Sequence, residues 1–163
     1  ETFSKNKNHM NEYNYTLENG TPVEQRLGGA LEYIEIIKPK DSYFETLNRY
    51  YLNGKLKSTV QRFPYRFLAG VMKEFDEEGN LVEETDYDKP FKFAWEDILK
   101  WVEKNEISMS NYYLDIGRNV VDGKPVWAII WEKDDKTGLR IVGFDGVTGE
   151  ILQDEDRDYP EDD

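Results

Sequence analysis

The sequence predicts an α+β fold: an antiparallel β-hairpin meander with one amphipathic helix packed on a C-terminal antiparallel sheet. Three observations carry this. A glycine-punctuated unit is written twice, as YYLNGKLKS at 50–58 and as EFDEEGNLVEE at 74–84. An apolar stripe with helical spacing follows at 95–102. Three strand-like runs separated by Gly-containing turns then close the chain.

Residues 1–14 are polar and rich in Asn and Lys, and read as a loose lead-in. LEYIEIIKP at 31–39 is β-branched and partly alternating, which predicts a strand that Pro39 ends, with Gly28-Gly29 as the break before it. Asn53-Gly54 between YYL and KLKSTV predicts a type I′ hairpin, because that turn needs positive φ at both central positions. Asp76 to Asn80 predicts a longer hairpin turn with Gly79 in the left-handed position. Setting Gly54 on Gly79 superposes Tyr50 on Phe75 and Leu56 on Leu81, which is the signature of a repeated supersecondary unit. YTLENGTPVEQ at 15–25 reads as a degenerate copy at a different spacing, with Asn19-Gly20 as its turn.

After Pro90 the period changes. Trp95, Ile98, Leu99 and Val102 fall at i, i+3, i+4 and i+7, predicting a helix over 93–104 with Trp101 beside the stripe at the edge of the core. Glu96 and Asp97 in its first turn and Lys100 and Lys104 late complement the helix dipole, and Asn105 suits its end. PVWAIIWEK (125–133), LRIVGFD (139–145) and EILQDED (150–156) predict three strands, with Gly138 and Gly149 as left-handed turn residues. One domain is expected over 1–163, made of the lead-in 1–14, a hairpin region 15–90, a helix-plus-sheet region 91–157 and a solvated, mobile acidic tail 158–163.

The formal charge of −13 sets a field that repels phosphate backbones, so nucleic acid is excluded as a partner class. The same field favours a cationic protein, a basic toxin for example, and speeds encounter with it. Cysteine is absent, which removes disulfides, thiolate metal sites and Cys nucleophiles together. No run approaches the roughly 20 apolar residues of a membrane helix, so the chain is not expected to span a membrane. It opens at Glu1 on a polar stretch, which reads as a mature start after signal removal or as a trimmed chain.

YYLNGKLKS and GVMKEFDEEGNLVEE resemble the repeats of MORN-like bacterial antitoxin-type proteins, in which a Y-x-x-N-G-x-L unit recurs about every two dozen residues. The match covers 43–88, and Val71 follows Gly70 where that family places an aromatic. Residues 93–156, with VWAIIWEKDDKTGLRIVGFDGVTGEILQD, resemble a PepSY-type unit. That resemblance implies a tight turn formed by Asp145, Thr148, Gly149 and Glu150, and a secreted, periplasmic or lipoprotein module that binds or inhibits rather than catalyses.

His9 is the only histidine and lies in the lead-in, which leaves a triad or a His-based metal site without its imidazole. No P-loop or strand-led G-x-G-x-x-G occurs, and no one carboxylate pair stands out among 34 acids. Neither Asp134-Asp135 nor Asp154-Glu155-Asp156 has the ligand spacing of an EF-hand loop, so calcium is not implied and solvated turns are. No cofactor or metal is expected. In QRFPYRF (61–67), Phe63, Tyr65 and Phe67 alternate with Pro64 and Arg66, so an extended segment would be aromatic on one face and basic on the other. Pro64 places the segment at an edge or loop. One reading makes this a protein-binding patch, since Arg and Tyr are favoured anchor residues; the other makes the aromatics the buried side of the sheet. The candidate partner-binding residues are Arg62, Phe63, Tyr65, Arg66 and Phe67, with Asp134 and Asp135 as acidic contributors. The function expected is non-enzymatic protein binding, as an immunity or antitoxin-like protein neutralising a toxin. The alternative is an envelope-associated module binding peptide or polymer.

Overall fold

The computed structural model describes residues 2–29 and 32–159. By its internal contacts the chain divides into two compact units, Glu1–Tyr87 and Asp88–Asp163, so the division falls close to the expected change of pattern near residue 90. The fold is α+β, with antiparallel strands dominating both units. Among the described residues no helix is long and apolar enough to cross a membrane.

The first unit holds a short helix α1 (Thr2–Asn6) and seven strands: β1 (Glu12–Thr16), β2 (Pro22–Gly28), β3 (Glu32–Ile37), β4 (Glu45–Tyr50), β5 (Leu56–Phe63), β6 (Phe67–Phe75) and β7 (Leu81–Asp86). They form one antiparallel sheet in strict chain order, the simplest topology a series of hairpins can give. The loose lead-in is thereby corrected. Asn8 Oδ1 accepts the N–H groups of Met10 and Glu12 and folds the chain into β1, where Tyr13 and Tyr15 share a face with ring centroids 5.0 Å apart. Its Asn content is turn chemistry rather than disorder. Strand β3 ends before Pro39 as expected, while the expected first residue of that strand, Leu31, lies outside the described residues.

Three loops share one geometry: Leu17–Thr21, Tyr51–Lys55 and Asp76–Asn80. In each, the fourth residue's N–H donates to the first residue's carbonyl (2.8, 2.9 and 3.0 Å) and the first residue's N–H donates to the fifth residue's carbonyl (2.9, 2.9 and 3.0 Å). The fourth residue is always a left-handed glycine, with φ of 81°, 85° and 93° at Gly20, Gly54 and Gly79. The expected type I′ turn at Asn53-Gly54 is not formed, because only Gly54 has positive φ. Asn53 instead uses its side chain, whose Oδ1 accepts the Lys55 N–H at 2.9 Å. The two-residue turn with positive φ at both centres occurs at Asp122-Gly123 (51° and 76°).

Strand alternation separates two faces of this sheet. One carries Ile36, Leu47 and Val60, aligned across β3, β4 and β5 and buried, with Ile34, Leu68, Met72 and Tyr87 packed against them. The buried carboxylates on this face are neutralised. Buried Glu32 meets Arg49 (3.2 Å) and Lys57 (3.1 Å), and buried Glu45 meets Arg62. The other face carries a row that the register runs across all seven strands: Tyr13, Gln25, Glu35, Asn48, Thr59, Lys73, Glu84.

The second unit holds α2 (Trp95–Lys104), β8 (Asp115–Val121), β9 (Lys124–Glu132), β10 (Gly138–Asp145) and β11 (Ile151–Asp158), the sheet running β11-β10-β9-β8. Helix α2 starts two residues later than the stripe suggested, because Asp97 accepts the Ala94 N–H at 3.1 Å and so fixes the first turn there. Its buried stripe is Ile98 and Val102, and Trp101 packs on the sheet with its ring 5.0 Å from Phe144 and 5.9 Å from Trp131. Asn105 ends the helix by donating both its N–H and its amide to the Trp101 carbonyl.

Four expectations for this unit are corrected. A fourth strand, β8, is present, and it was hidden because DIGRNVV buries only Ile116. Strand β11 is exposed along its whole length and joins as an edge. The chain remains paired beyond 157, since Tyr159 N–H donates to the Thr137 carbonyl at 2.9 Å; residues 160–163 of the expected acidic tail lie outside the described residues. At the β9–β10 turn the left-handed residue is Lys136 (φ 58°), not Gly138. Gly138 is needed for space instead, a Cβ there falling 2.6 Å from the Asp158 Cα.

Gly149 is left-handed as expected, with φ 74°, and its turn is held by Asp145, whose Oδ1 accepts the N–H groups of Val147 (2.8 Å) and Thr148 (2.9 Å). An added Cβ at Gly149 meets the Phe93 ring at 2.6 Å, whereas one at Gly54 meets nothing within 4 Å. Gly54→Ala is therefore expected to cost about 1 kcal/mol, from backbone strain alone. Gly149→Ala adds overpacking and is expected to cost about 2–4 kcal/mol. Urea midpoints check both: far-UV circular dichroism for Gly54→Ala, and tryptophan fluorescence for Gly149→Ala, since Trp95, Trp101, Trp127 and Trp131 all belong to the second unit.

Candidate functional site

The hairpin joining β5 to β6 gathers five of the seven residues singled out from the sequence. Pro64 fixes φ and has no N–H to give the ladder, so the chain turns there instead of continuing extended. The Phe63 carbonyl accepts the Arg66 N–H at 3.1 Å, and Tyr65 sits in the third corner with φ 62°. This is the type II arrangement, with Pro in its favoured second position and tyrosine where glycine or asparagine belongs. The expected two-faced extended segment is thus replaced by a turn.

Its aromatics separate accordingly. Phe63 and Phe67 are cross-strand partners whose rings stack at 5.4 Å and 14°, with Phe44 edge-on to both at 6.1 Å. Phe67 is buried, so for this pair the sheet-lining reading holds. Tyr65 points the other way and is 81% exposed. Arg62 does not offer a free basic face: its Nε donates to Glu45 Oε1 at 2.6 Å, and its guanidinium stands 5.5 Å from the Tyr65 ring centroid. Arg62, Tyr65, Arg66 and Leu68 border a shallow hollow of about 320 Å³ at the tip.

Asp134 and Asp135 belong to the second unit, in the turn between β9 and β10. Asp135 Oδ1 accepts the Thr137 N–H (3.0 Å) and hydroxyl (2.8 Å), and these bonds hold its carboxyl below the usual range. Its role is to cap a turn. Asp154, Glu155 and Asp156 face cations: Arg140 reaches Asp154 (2.8 Å) and Asp156 (3.5 Å), and Arg157 reaches Glu155 (3.4 Å). Among the described residues no group of three His, Cys, Asp or Glu is placed to hold a metal ion.

A second site was not foreseen. On the polar face of the seven-stranded sheet, a concavity of about 800 Å³ is bordered by Phe3, Lys5, Tyr33, Glu35, Tyr50 and Leu52. Glu35 stands at the centre of three strands. Its Oε2 accepts from Gln25 Nε2 (2.7 Å), and its Oε1 accepts from Asn48 Nδ2 (3.0 Å) and Tyr50 Oη (2.9 Å). Burial, then the hydrogen bond to Glu35, raises the Tyr50 pKa, so the phenol stays protonated as the donor. Burial, followed by the Glu35 charge and Tyr13, also raises Tyr15. The i, i+2 spacings Tyr13/Tyr15, Tyr33/Glu35 and Asn48/Tyr50 were visible in the sequence, but only the strand register brings them together.

No protein-family model, curated protein or solved structure matches the chain.

Proposed function

We propose that this chain is a non-enzymatic binding protein of the immunity or antitoxin kind, its hairpin sheet a MORN-like array, which occludes the active surface of a basic protein toxin. The observation that supports it is Tyr65. A large aromatic held 81% exposed in a backbone region unfavourable to its side chain costs about 1–3 kcal/mol, with no burial to offset the cost. An anchor for a partner's cleft supplies the reason for keeping it, since tyrosine in a rigid tip binds with little loss of freedom. The net charge of −13 supplies long-range attraction to a cationic partner.

Tyr65→Asn is the decisive variant, because asparagine tolerates positive φ. Its stability is expected to stay within about 1 kcal/mol of the parent, while affinity for the partner falls at least about tenfold. The measurement is capture at low salt from a lysate of the encoding organism, then calorimetry with the purified captured protein and an assay of that protein's toxic activity. A captured protein that is not basic, that keeps full activity when bound, or that binds Tyr65→Asn as tightly as the parent overturns the proposal.

A further inference from the structure

Glu35 differs from the other carboxylates of strands β2, β3 and β4. Glu24, Glu32 and Glu45 each face at least one Lys or Arg within 4 Å. Glu35 is held by an amide, a second amide and a phenol, all neutral donors, drawn from the two strands that flank its own. These bonds fix its orientation and satisfy most of its lone pairs, yet among the described residues no Lys or Arg forms an ion pair with it within 4 Å. The carboxylate borders an open concavity with aromatic walls, Phe3, Tyr33 and Tyr50, and Phe3 and Tyr33 are themselves locked edge to face at 5.3 Å. A fixed carboxylate beside aromatic rings is the chemistry that receives an organic cation.

The hydrogen-bond count narrows the cation further. A carboxylate oxygen offers about two acceptor positions. Oε1 already accepts from Asn48 and Tyr50, whereas Oε2 accepts from Gln25 alone. One position remains, on one oxygen. A guanidinium prefers to grip both oxygens in parallel, while an ammonium is a point charge satisfied by a single acceptor. We propose that the concavity around Glu35 is a binding site for the ammonium group of a lysine side chain presented by a cationic protein segment. Lys5 borders the concavity, so the incoming ammonium competes with a like charge, and the isolated lysine group binds weakly. The acidic chain as a whole favours a lysine-bearing segment over a neutral one. The site stands on Glu35 and its neighbours and does not depend on the role of Tyr65.

The test titrates the intact, ¹⁵N-labelled chain with three probes: Nα-acetyl-lysine methylamide, Nα-acetyl-arginine methylamide and Nα,Nε-diacetyl-lysine methylamide. The side-chain amide signals of Gln25 and Asn48 are followed. The lysine probe is expected to shift both signals saturably, the arginine probe to bind at least about threefold more weakly, and the diacetyl probe to leave them unmoved. Glu35→Gln abolishes the lysine response. Tyr50→Phe, which releases one acceptor position on Oε1, narrows or reverses the preference for lysine over arginine, and it stands as the test if Glu35→Gln does not fold. Absence of a saturable shift with lysine, an equal response to the diacetyl probe, an unchanged response in a folded Glu35→Gln variant, or an unaltered preference in Tyr50→Phe overturns the site.

Discussion

Trp127→Ala is expected to abolish most of the stability of the second unit. Trp127 is 1% exposed and lies at the meeting point of that unit's packing. Phe91 meets its ring edge-on at 5.4 Å, the Trp95 ring is 6.3 Å away, and the Arg118 guanidinium stands over both Trp127 (5.2 Å) and Phe91 (4.6 Å). Its indole Nε1–H donates to the Phe93 carbonyl at 2.9 Å, tying the segment ahead of α2 to strand β9. Truncation to alanine removes the ring and leaves a cavity, which costs about 3–5 kcal/mol. The abandoned carbonyl adds about 1–3 kcal/mol if water does not reach it. A body of this size has only about 4–11 kcal/mol in total. Trp95, Trp101 and Trp131 remain as reporters, so urea titration followed by their fluorescence is expected to show a midpoint close to zero. Trp127→Phe separates the two contributions: it keeps most of the packing and loses the hydrogen bond, for an expected cost of about 1–3 kcal/mol. A midpoint unchanged in Trp127→Ala would show that the unit repacks around the loss.

Much of this architecture could be read from short-range signals. The stripe Trp95, Ile98, Leu99, Val102 specified α2, and the repeated Gly-ended loops at 51–55 and 76–80 specified hairpins, because a left-handed residue and a helical period are properties of a few consecutive positions. Strand β8 escaped for the converse reason. Its sequence DIGRNVV buries one side chain, and its place in the sheet is set by the Asp122-Gly123 turn and by pairing with β9. The same turn shows that a two-residue dipeptide signal is ambiguous: Asp122-Gly123 forms the tight turn that Asn53-Gly54 does not.

The candidate site was legible only in part. Pro64 signals an interruption and Tyr65 is among the residues the segment singles out, but alternation could not show that Phe63 and Phe67 would close on each other while Tyr65 turned outward. The Glu35 cluster was invisible for a different reason. Gln25, Glu35, Asn48 and Tyr50 are drawn from three strands, and nothing local fixes which residue of one strand lies opposite which residue of the next.

Arg62 is where the structural and binding roles must be told apart, and a double-mutant cycle with Glu45 does so. The two are direct cross-strand partners, and their side chains are 17% and 5% exposed respectively. Arg62→Met leaves the Glu45 carboxylate on the apolar face beside Ile36, Leu47 and Val60 with its cation removed. The expected cost is about 3–5 kcal/mol, because a buried charge without its partner keeps its desolvation penalty and loses its compensation. Glu45→Met strands a more exposed guanidinium that retains the Tyr65 ring, so its cost is smaller, about 1–3 kcal/mol. The double variant replaces the pair with two apolar side chains on an apolar face and is expected to regain stability to within about 1 kcal/mol of the parent. Far-UV circular dichroism against urea measures all four corners, and a coupling above about 2 kcal/mol assigns Arg62 to the sheet. If Arg62→Met instead leaves the midpoint unmoved and only partner affinity falls, the guanidinium belongs to the binding tip and its contact with Glu45 is incidental. The burial of Glu45 argues for the first outcome, which would leave Tyr65 as the tip residue whose conformation folding alone does not explain.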